Sequence, residues 1–135
     1  MVRLLKIVLI LGGIYVGIVA TFESLLGYFQ PADAQTMVIT TFDADGVGSD
    51  RVVARLETDG QLYVAANHWP RAWYRAALAN DRVEITFAGI TAPYRAVLLQ
   101  GAEHDRIDAD YALPLGFRIL TGFPPRYLMR LDPQQ

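Results

Sequence analysis

The feature that most constrains this chain is an uncharged apolar run near its N-terminus. No charged residue occurs from Ile7 to Phe22, and Leu4 and Leu5 extend the apolar stretch beyond Lys6. As an α-helix at about 1.5 Å per residue, the segment from Leu4 to Phe22 rises about 28 Å. This length nearly matches a bilayer hydrocarbon core of about 30 Å. The run therefore predicts a single N-terminal transmembrane helix that binds membrane lipid.

Two other interpretations of the run stay open. Met1 to Lys6 is also typical of the basic start of a secretory signal peptide, with cleavage after Ala20 or within Ala32–Ala34. A long apolar segment is also compatible with a helix buried in the core of a soluble domain. The sequence alone leaves a retained anchor, a cleaved signal and a core helix as alternatives.

The charges on either side of the run indicate an orientation. Arg3 and Lys6 precede it, whereas Glu23 and Asp33 follow it. Because basic residues favour the cytoplasmic side of a membrane, this distribution predicts a cytoplasmic N-terminus and a globular domain on the other side. The expected localisation is a single-pass membrane protein.

Composition narrows what can follow the anchor of residues 1–30. The chain is 53% hydrophobic and 19% charged, which predicts a packed core for residues 31–135. Its formal net charge of −2 provides no basic surplus, which argues against a nucleic-acid partner. The absence of cysteine excludes disulfides, thiol catalysis and cysteine-ligated metal sites.

Short alternating segments predict a sheet in the globular domain. The expected strands cover residues 37–42, 51–57, 62–65, 83–87, 94–99 and 127–131. Asp59-Gly60 lies between two of them and indicates a hairpin. Short helices are expected over 70–80 and 103–111, with an irregular segment over 114–125. Five or six antiparallel strands with two small helices predict an α+β barrel, which hides its sheet edges by closure or by forming a homodimer.

The densest polar and aromatic cluster is the segment 67–75, which reads Asn-His-Trp-Pro-Arg-Ala-Trp-Tyr-Arg. Such side chains at the start of a helix can stack on a planar ring and pair with a phosphate. The alternative is a helix that buries Trp73 and Tyr74 while its arginines face water. His68 and His104 lack a carboxylate at ligand spacing, so no metal site is predicted.

Residues 72–80, Ala-Trp-Tyr-Arg-Ala-Ala-Leu-Ala-Asn, resemble a motif of the deazaflavin-dependent nitroreductase and quinone reductase family. In that family an Ala-Trp-Tyr run closes on Ala-Asn-Pro. A strand over 82–87 and a Tyr-Arg-Ala strand start at 94–96 follow in the family's order, so the resemblance covers about residues 38–108. The closing Leu-Pro-Leu-Gly-Phe and Gly-Phe-Pro-Pro segments are similar to a divergent bacterial subgroup of unassigned activity.

The resemblance implies a small antiparallel split β-barrel of the flavin-reductase type. Its groove would bind a reduced deazaflavin coenzyme or FMN, and the reaction would pass a hydride to a quinone or a nitro compound. Because the cofactor carries the hydride, no catalytic acid or base is assigned. A membrane anchor suits a quinone acceptor, because quinones dissolve in the bilayer. The candidate cofactor-binding residues are Arg51, Val53, Arg55, Asn67, His68, Arg71, Trp73 and Tyr74.

The turn after the first strand departs from the family pattern. The family has Gly-Arg-Lys-Ser-Gly followed by an arginine, whereas residues 44–48 here are Ala-Asp-Gly-Val-Gly, followed by Arg51. Asp45 and Gly46 thus replace the basic pair that grips the cofactor's phosphate, and an acidic residue facing a phosphate costs about 1 kcal/mol or more. Two hypotheses follow: a flavin- or deazaflavin-dependent reductase, or a cofactor-free, membrane-tethered module that binds a small ligand, a lipid or a partner protein.

Overall fold

A computed structural model describes residues 1–28, 35–67, 72–80 and 82–135. The elements of these residues, in chain order, are α1 (Val2–Tyr28), β1 (Thr36–Phe42), β2 (Gly48–Ala54), β3 (Leu56–Thr58), β4 (Gln61–Ala66), α2 (Ala72–Ala79), β5 (Val83–Phe87), β6 (Ile90–Leu98), α3 (Gly101–Asp110), α4 (Leu115–Leu120) and β7 (Tyr127–Pro133). They belong to two compact units. The first comprises Met1–Gln30 and Leu113–Pro124, and the second comprises Pro31–Ala112 and Pro125–Gln135.

The second unit is a seven-stranded antiparallel sheet with the order β2-β1-β5-β6-β7-β4-β3. Its two edge strands, β2 and β3, are consecutive in the chain and are separated only by Arg55. This one-residue connection brings the two edges of the sheet close together at Arg55, so the sheet must curl, and it forms a half-barrel. The predicted fold class, an antiparallel α+β split barrel after an apolar N-terminal helix, is confirmed.

The sheet encloses a core that the strand pattern explains. Strand β1 alternates between buried and half-buried side chains along its whole length, as expected for a strand with one face on the core. Ile39, Val64 and Leu131 are completely buried, and Ala77 joins them from helix α2. A second buried cluster, which includes Ile107, lies beneath α3. These two clusters hold α2 and α3 against the sheet.

Two expectations about the elements are wrong in detail. The segment 51–57 is divided between two strands, because the strand is interrupted at Arg55. The backbone N–H of Arg55 donates to the Gln35 carbonyl at 2.8 Å. The irregular segment 114–125 contains a third short helix, α4. Pro114 stands before its first turn and Gly122 just after its end, so these residues bound a helix rather than prevent one.

The first unit contains the long apolar helix. The stretch Val2–Leu26 has a mean hydropathy of 2.2, and none of its most apolar window is buried in the chain. The whole of α1, Val2–Tyr28, has 27 residues and extends over about 40 Å at 1.5 Å per residue. The helix is therefore long and apolar enough to cross a membrane, and it extends beyond the expected limits of Leu4 and Phe22 at both ends.

Candidate functional site

A cavity of about 440 Å³ lies between strands β1 and β2 and helix α2. We call it the α2 groove. Its described lining residues are Thr41, Asp43, Ser49, Asp50, Arg51, Ala72, Trp73 and Ala76. The volume falls within the range of about 300–1,000 Å³ that small-molecule and cofactor sites have.

The register of the first hairpin explains one wall of the groove. Thr41 pairs with Ser49, and Ile39 pairs with Arg51. Directly paired residues of antiparallel strands point to the same face of a sheet, and so do residues two apart. Arg51 therefore extends from the same face as the buried Ile39, and the two hydroxyl side chains lie next to it.

Helix α2 forms the opposite wall. Its fully buried Ala77 fixes one side of the helix in the core, while Trp73 and Ala76 line the groove. The amide of Asn80 donates to the Ala76 carbonyl at 3.2 Å and to the carbonyl of Phe42 at the end of β1. This asparagine joins the end of α2 to β1, which gives a physical reason for the Ala-Asn pair that closes the Trp-Tyr motif.

The electrostatics of the α2 groove are mixed. Among the described residues, none forms an ion pair with the Arg51 guanidinium. Asp43 Oδ1 accepts the backbone N–H groups of Asp45 at 2.9 Å and of Val47 at 2.8 Å, and thus holds the turn. Asp50 Oδ1 accepts the Thr40 hydroxyl at 2.6 Å. The groove thus combines an available cation with two carboxylates that already accept hydrogen bonds.

The structure places several described candidates outside the lining of the groove. Val53 is buried in the core. Arg55 lies in another cavity, of about 290 Å³, where it pairs with Glu57 and its Cζ lies 4.5 Å from the centroid of the Phe87 ring. Tyr74 stacks on Tyr127, with ring centroids 5.0 Å apart.

Asn67 hydrogen-bonds to a residue that does not line the α2 groove. Its Oδ1 accepts a hydrogen bond from Arg126 Nε at 2.9 Å, and Arg126 also pairs with Asp108 at 2.8 Å. His68 and Arg71 lie outside the described residues. Of the candidates that the structure describes, Arg51 and Trp73 lie together in the α2 groove.

Several lining residues were missed at the sequence level, namely Thr41, Asp43, Ser49, Asp50, Ala72 and Ala76. The available signal was the register of the first hairpin, which pairs Thr41 with Ser49 once the turn is recognised as the five residues 43–47. The alanines had no signal of their own, because their role is to leave space beside Trp73. Within the described ranges, no group of three His, Cys, Asp or Glu residues could hold a metal ion.

A contrasting set of charged residues lies beside α3, which we call the α3 network: Tyr63, Glu103, Arg130 and Asp132. Arg130 donates to Glu103 Oε2 at 3.0 Å and to both carboxylate oxygens of Asp132, at 2.7 and 3.1 Å. These hydrogen bonds raise the pKa of Arg130. Burial, followed by the hydrogen bond to Glu103, raises the pKa of Tyr63 above its usual value of 10.0.

No protein-family model matches the chain, and no curated protein matches it. Solved structures do match. The heme storage protein HutZ from Vibrio cholerae is 18% identical, with 86% of this chain and 87% of that chain covered and a TM-score of 0.58. An F420-H2 dependent reductase, FDR-A, is 18% identical, with 77% and 99% covered and a TM-score of 0.57. A structure described as a domain-swapped dimer is 19% identical, with 84% and 95% covered and a TM-score of 0.63.

These likenesses concern the fold. The barrel has the split-barrel fold of these proteins. The resemblance of the sequence to the flavin and deazaflavin split-barrel group is thereby confirmed at the level of architecture. The ligands of the individual neighbours belong to those proteins, because identities below 20% do not carry a ligand from one chain to another.

Proposed function

We propose that the chain is a membrane-anchored oxidoreductase whose α2 groove holds a flavin or deazaflavin cofactor. The reaction would transfer a hydride from the reduced cofactor to a quinone or nitro-type acceptor. One observation carries the proposal: Arg51 and Trp73, 22 positions apart in the sequence, line the same cavity. An F420-H2 dependent reductase with the same fold supports it.

The groove fits a planar ring in three respects. Its volume of about 440 Å³ is in the usual range for cofactor sites. Trp73 provides an aromatic wall, and the small side chains of Ala72 and Ala76 leave space beside it. Thr41 and Ser49 offer hydroxyl groups to the polar edge of a ring. When bound, a reduced cofactor of this type supplies a hydride, and the protein's part is to orient the ring and exclude water.

Arg51 is the residue we assign to the anionic part of the cofactor. A guanidinium without an ion pair among the described residues retains its donors for a phosphate or carboxylate, and such charge-assisted hydrogen bonds are strong. Asp43 and Asp50 oppose this attraction through their charge. We therefore expect anion affinity in the α2 groove to be set by the balance between Arg51 and these carboxylates.

We further propose that α1 is retained as the membrane anchor of the barrel. The mean hydropathy of 2.2 over Val2–Leu26 and its lack of burial support this role. The orientation decides which cofactor pool the barrel meets, since reduced flavins and deazaflavins are cytoplasmic. The basic residues before α1 favour a barrel on the other side of the membrane, and that orientation would favour the cofactor-free module over the oxidoreductase. Protease treatment of intact cells tests the orientation. Full protection would place the barrel with the cytoplasmic cofactors, as the oxidoreductase requires, whereas digestion of the barrel would favour the cofactor-free module.

The spectrum of detergent-purified protein tests the proposed activity. We expect a bound chromophore, or a shift in absorbance when FMN or deazaflavin coenzyme is added at tens of micromolar, a concentration that detects affinities of about −6 kcal/mol or stronger. The reduced cofactor should then transfer its electrons to a soluble quinone faster with the protein than without it. No chromophore and no shift with either cofactor would contradict the proposal.

A second candidate function is a cofactor-free binding module. The observation that favours it is the acidic lining, because Asp43 and Asp50 outnumber Arg51 among the described charged residues of the groove. A small ligand without a phosphate would avoid this repulsion. The same titration separates the two functions, since the module would bind neither cofactor. A homodimer, as in the structural neighbour described as a domain-swapped dimer, fits either function.

A further inference from the structure

The first unit contains a second apolar segment besides α1. Residues 113–124 carry a single charged residue, Arg118. Large apolar side chains of this segment are exposed: Leu115 by 65%, Phe123 by 49% and Ile119 by 43%. Twelve residues with one charge and this much apolar exposure are unusual for a surface in contact with water. These apolar side chains therefore need an environment that shields them from water.

The segment is docked on the anchor helix within the same unit. The Tyr15 hydroxyl donates a hydrogen bond to the Ile119 carbonyl at 2.8 Å. The rings of Phe22 and Phe117 meet edge to face, with centroids 6.0 Å apart. An apolar cavity of about 490 Å³ is formed by the C-terminal half of α1 and Leu120. Helix α4 thus shares the environment of α1 between Tyr15 and Phe22.

Three carbonyls in the C-terminal turn of α4 have the protein donors that a lipid environment requires. In hydrocarbon every carbonyl needs a protein donor. The Phe117 carbonyl accepts from the Thr121 N–H at 3.0 Å and from its hydroxyl at 2.9 Å. The Arg118 carbonyl accepts from the Phe123 N–H at 2.9 Å. The Ile119 carbonyl accepts from the Gly122 N–H at 3.2 Å as well as from the anchor tyrosine.

The position of these contacts along α1 indicates how deep α4 would lie in a bilayer. At 1.5 Å per residue, Tyr15 lies about 14 Å along the helix from Lys6, and Phe22 about 24 Å. If Lys6 lies at one headgroup layer, these residues extend from the middle of a bilayer of about 30 Å towards its far side. A helix docked on this part of α1 lies at the depth of the far leaflet.

We propose that residues 113–124 are a second membrane element, embedded among the acyl chains of one leaflet beside α1. This inference rests on the proposed role of α1 as an anchor. Lipid is favoured over a second copy of the chain because the exposed side chains of α4 continue the exposed apolar surface of α1 in the same unit. Arg118, whose Cζ lies 5.4 Å from the centroid of the Phe123 ring, has a stem long enough to carry its charge towards the headgroups.

The absence of cysteine makes a site-specific test direct. We would make the single variants Leu115→Cys and Phe123→Cys, label them with an environment-sensitive fluorophore and reconstitute the full chain in phosphatidylcholine vesicles. Ile10→Cys on α1 is the lipid reference, and Val47→Cys in the barrel is the water reference; both positions are 61% exposed. Circular dichroism of each variant checks that it has folded.

We expect nitroxide-labelled lipids to quench the labels at Leu115 and Phe123 as strongly as the label at Ile10. Aqueous iodide should quench only the label at Val47. Iodide quenching at Leu115 and Phe123, with Ile10 still quenched by lipid, would overturn the inference and leave the anchor in place. Protection of Leu115 from both quenchers would also overturn it and indicate a second copy. Iodide quenching at Ile10 would instead refute the anchor itself.

Discussion

The two sides of the barrel that carry helices use their arginines in opposite ways. Beside α3, Arg130 donates to Glu103 and Asp132, and Arg126 donates to Asp108 and Asn67. Beside α2, Arg51 forms no ion pair with any residue in the described ranges and borders a cavity of about 440 Å³. An arginine whose donors are satisfied within the protein stabilises the fold. One that has both space and unused donors is available to a ligand.

This contrast predicts that the α3 side determines stability. Ile107 is the completely buried residue of α3, so Ile107→Ala should lower the free energy of unfolding by about 2–5 kcal/mol. Cofactor affinity, measured at a temperature where the variant is folded, should not change. Ile90→Ala removes a side chain that is 73% exposed and serves as the control with little expected loss. A stable Ile107→Ala variant would contradict the assignment of this side to stability.

Substitution in the α2 groove should have the opposite effect. Loss of a hydrogen-bonded charge costs about 1.5–3 kcal/mol, so Arg51→Ala should weaken cofactor binding about ten- to hundredfold. Its melting temperature should stay near that of the wild type, because the guanidinium pairs with no described residue. Arg95→Ala removes an exposed arginine of β6 and controls for the change in net charge. Unchanged affinity in the Arg51 variant would remove this residue from the site.

Removing a carboxylate from the lining of the α2 groove should change cofactor affinity less than Arg51→Ala does, and should increase it. If an anionic group binds beside Arg51, Asp50→Asn should tighten FMN binding by several-fold, corresponding to about 1 kcal/mol of removed repulsion. The asparagine can still accept the Thr40 hydroxyl, so the strand pairing should remain. Riboflavin, which lacks the phosphate, is the control ligand and should bind both proteins alike. Weaker FMN binding by the variant would mean that Asp50 helps to hold the ligand.

The smallest expected effect is the loss of folding stability at alkaline pH that ionisation of Tyr63, in the α3 network, produces. Because the folded protein raises the pKa of Tyr63 above 10.0, the folded state holds this proton more tightly than the unfolded state. The resulting stability is present below pH 10 and is lost as pH rises through the raised pKa. Tyr63→Phe should reduce this loss in alkaline denaturation curves, while Tyr94→Phe controls for removal of a tyrosine hydroxyl. Equal alkaline slopes in the wild type and the Tyr63 variant would contradict this role.

The fold could be predicted from local patterns. The alternation in β1 reports its buried face, and the Asp59-Gly60 turn has the positive φ angles, 54° and 76°, that a tight hairpin requires. Helix α4 was missed because its proline and glycines indicate an irregular segment, whereas here they stand at its ends or are tolerated within it. The break at Arg55 has no local signal, since the alternation continues through it.

The candidate site was only partly predictable, because its residues come from segments that are far apart in the sequence. Arg51 and Trp73 were chosen for their chemistry, and the structure brings both to one cavity. Arg55 was chosen on the same basis but lies elsewhere, because the chain leaves one edge of the sheet at that residue. The bond between Asn67 and Arg126 joins positions 59 apart in sequence. Such assignments depend on the pairing of distant strands, which no short motif records.

The most direct test of the account compares amide hydrogen exchange of the full chain in detergent with and without FMN or deazaflavin coenzyme. We predict that cofactor binding slows exchange over β2 and α2, the two walls of the α2 groove, and leaves α3 and β7 unchanged. Slowing confined to α3 and β7, or no slowing at saturating cofactor, would contradict the claim that the α2 groove is the ligand site.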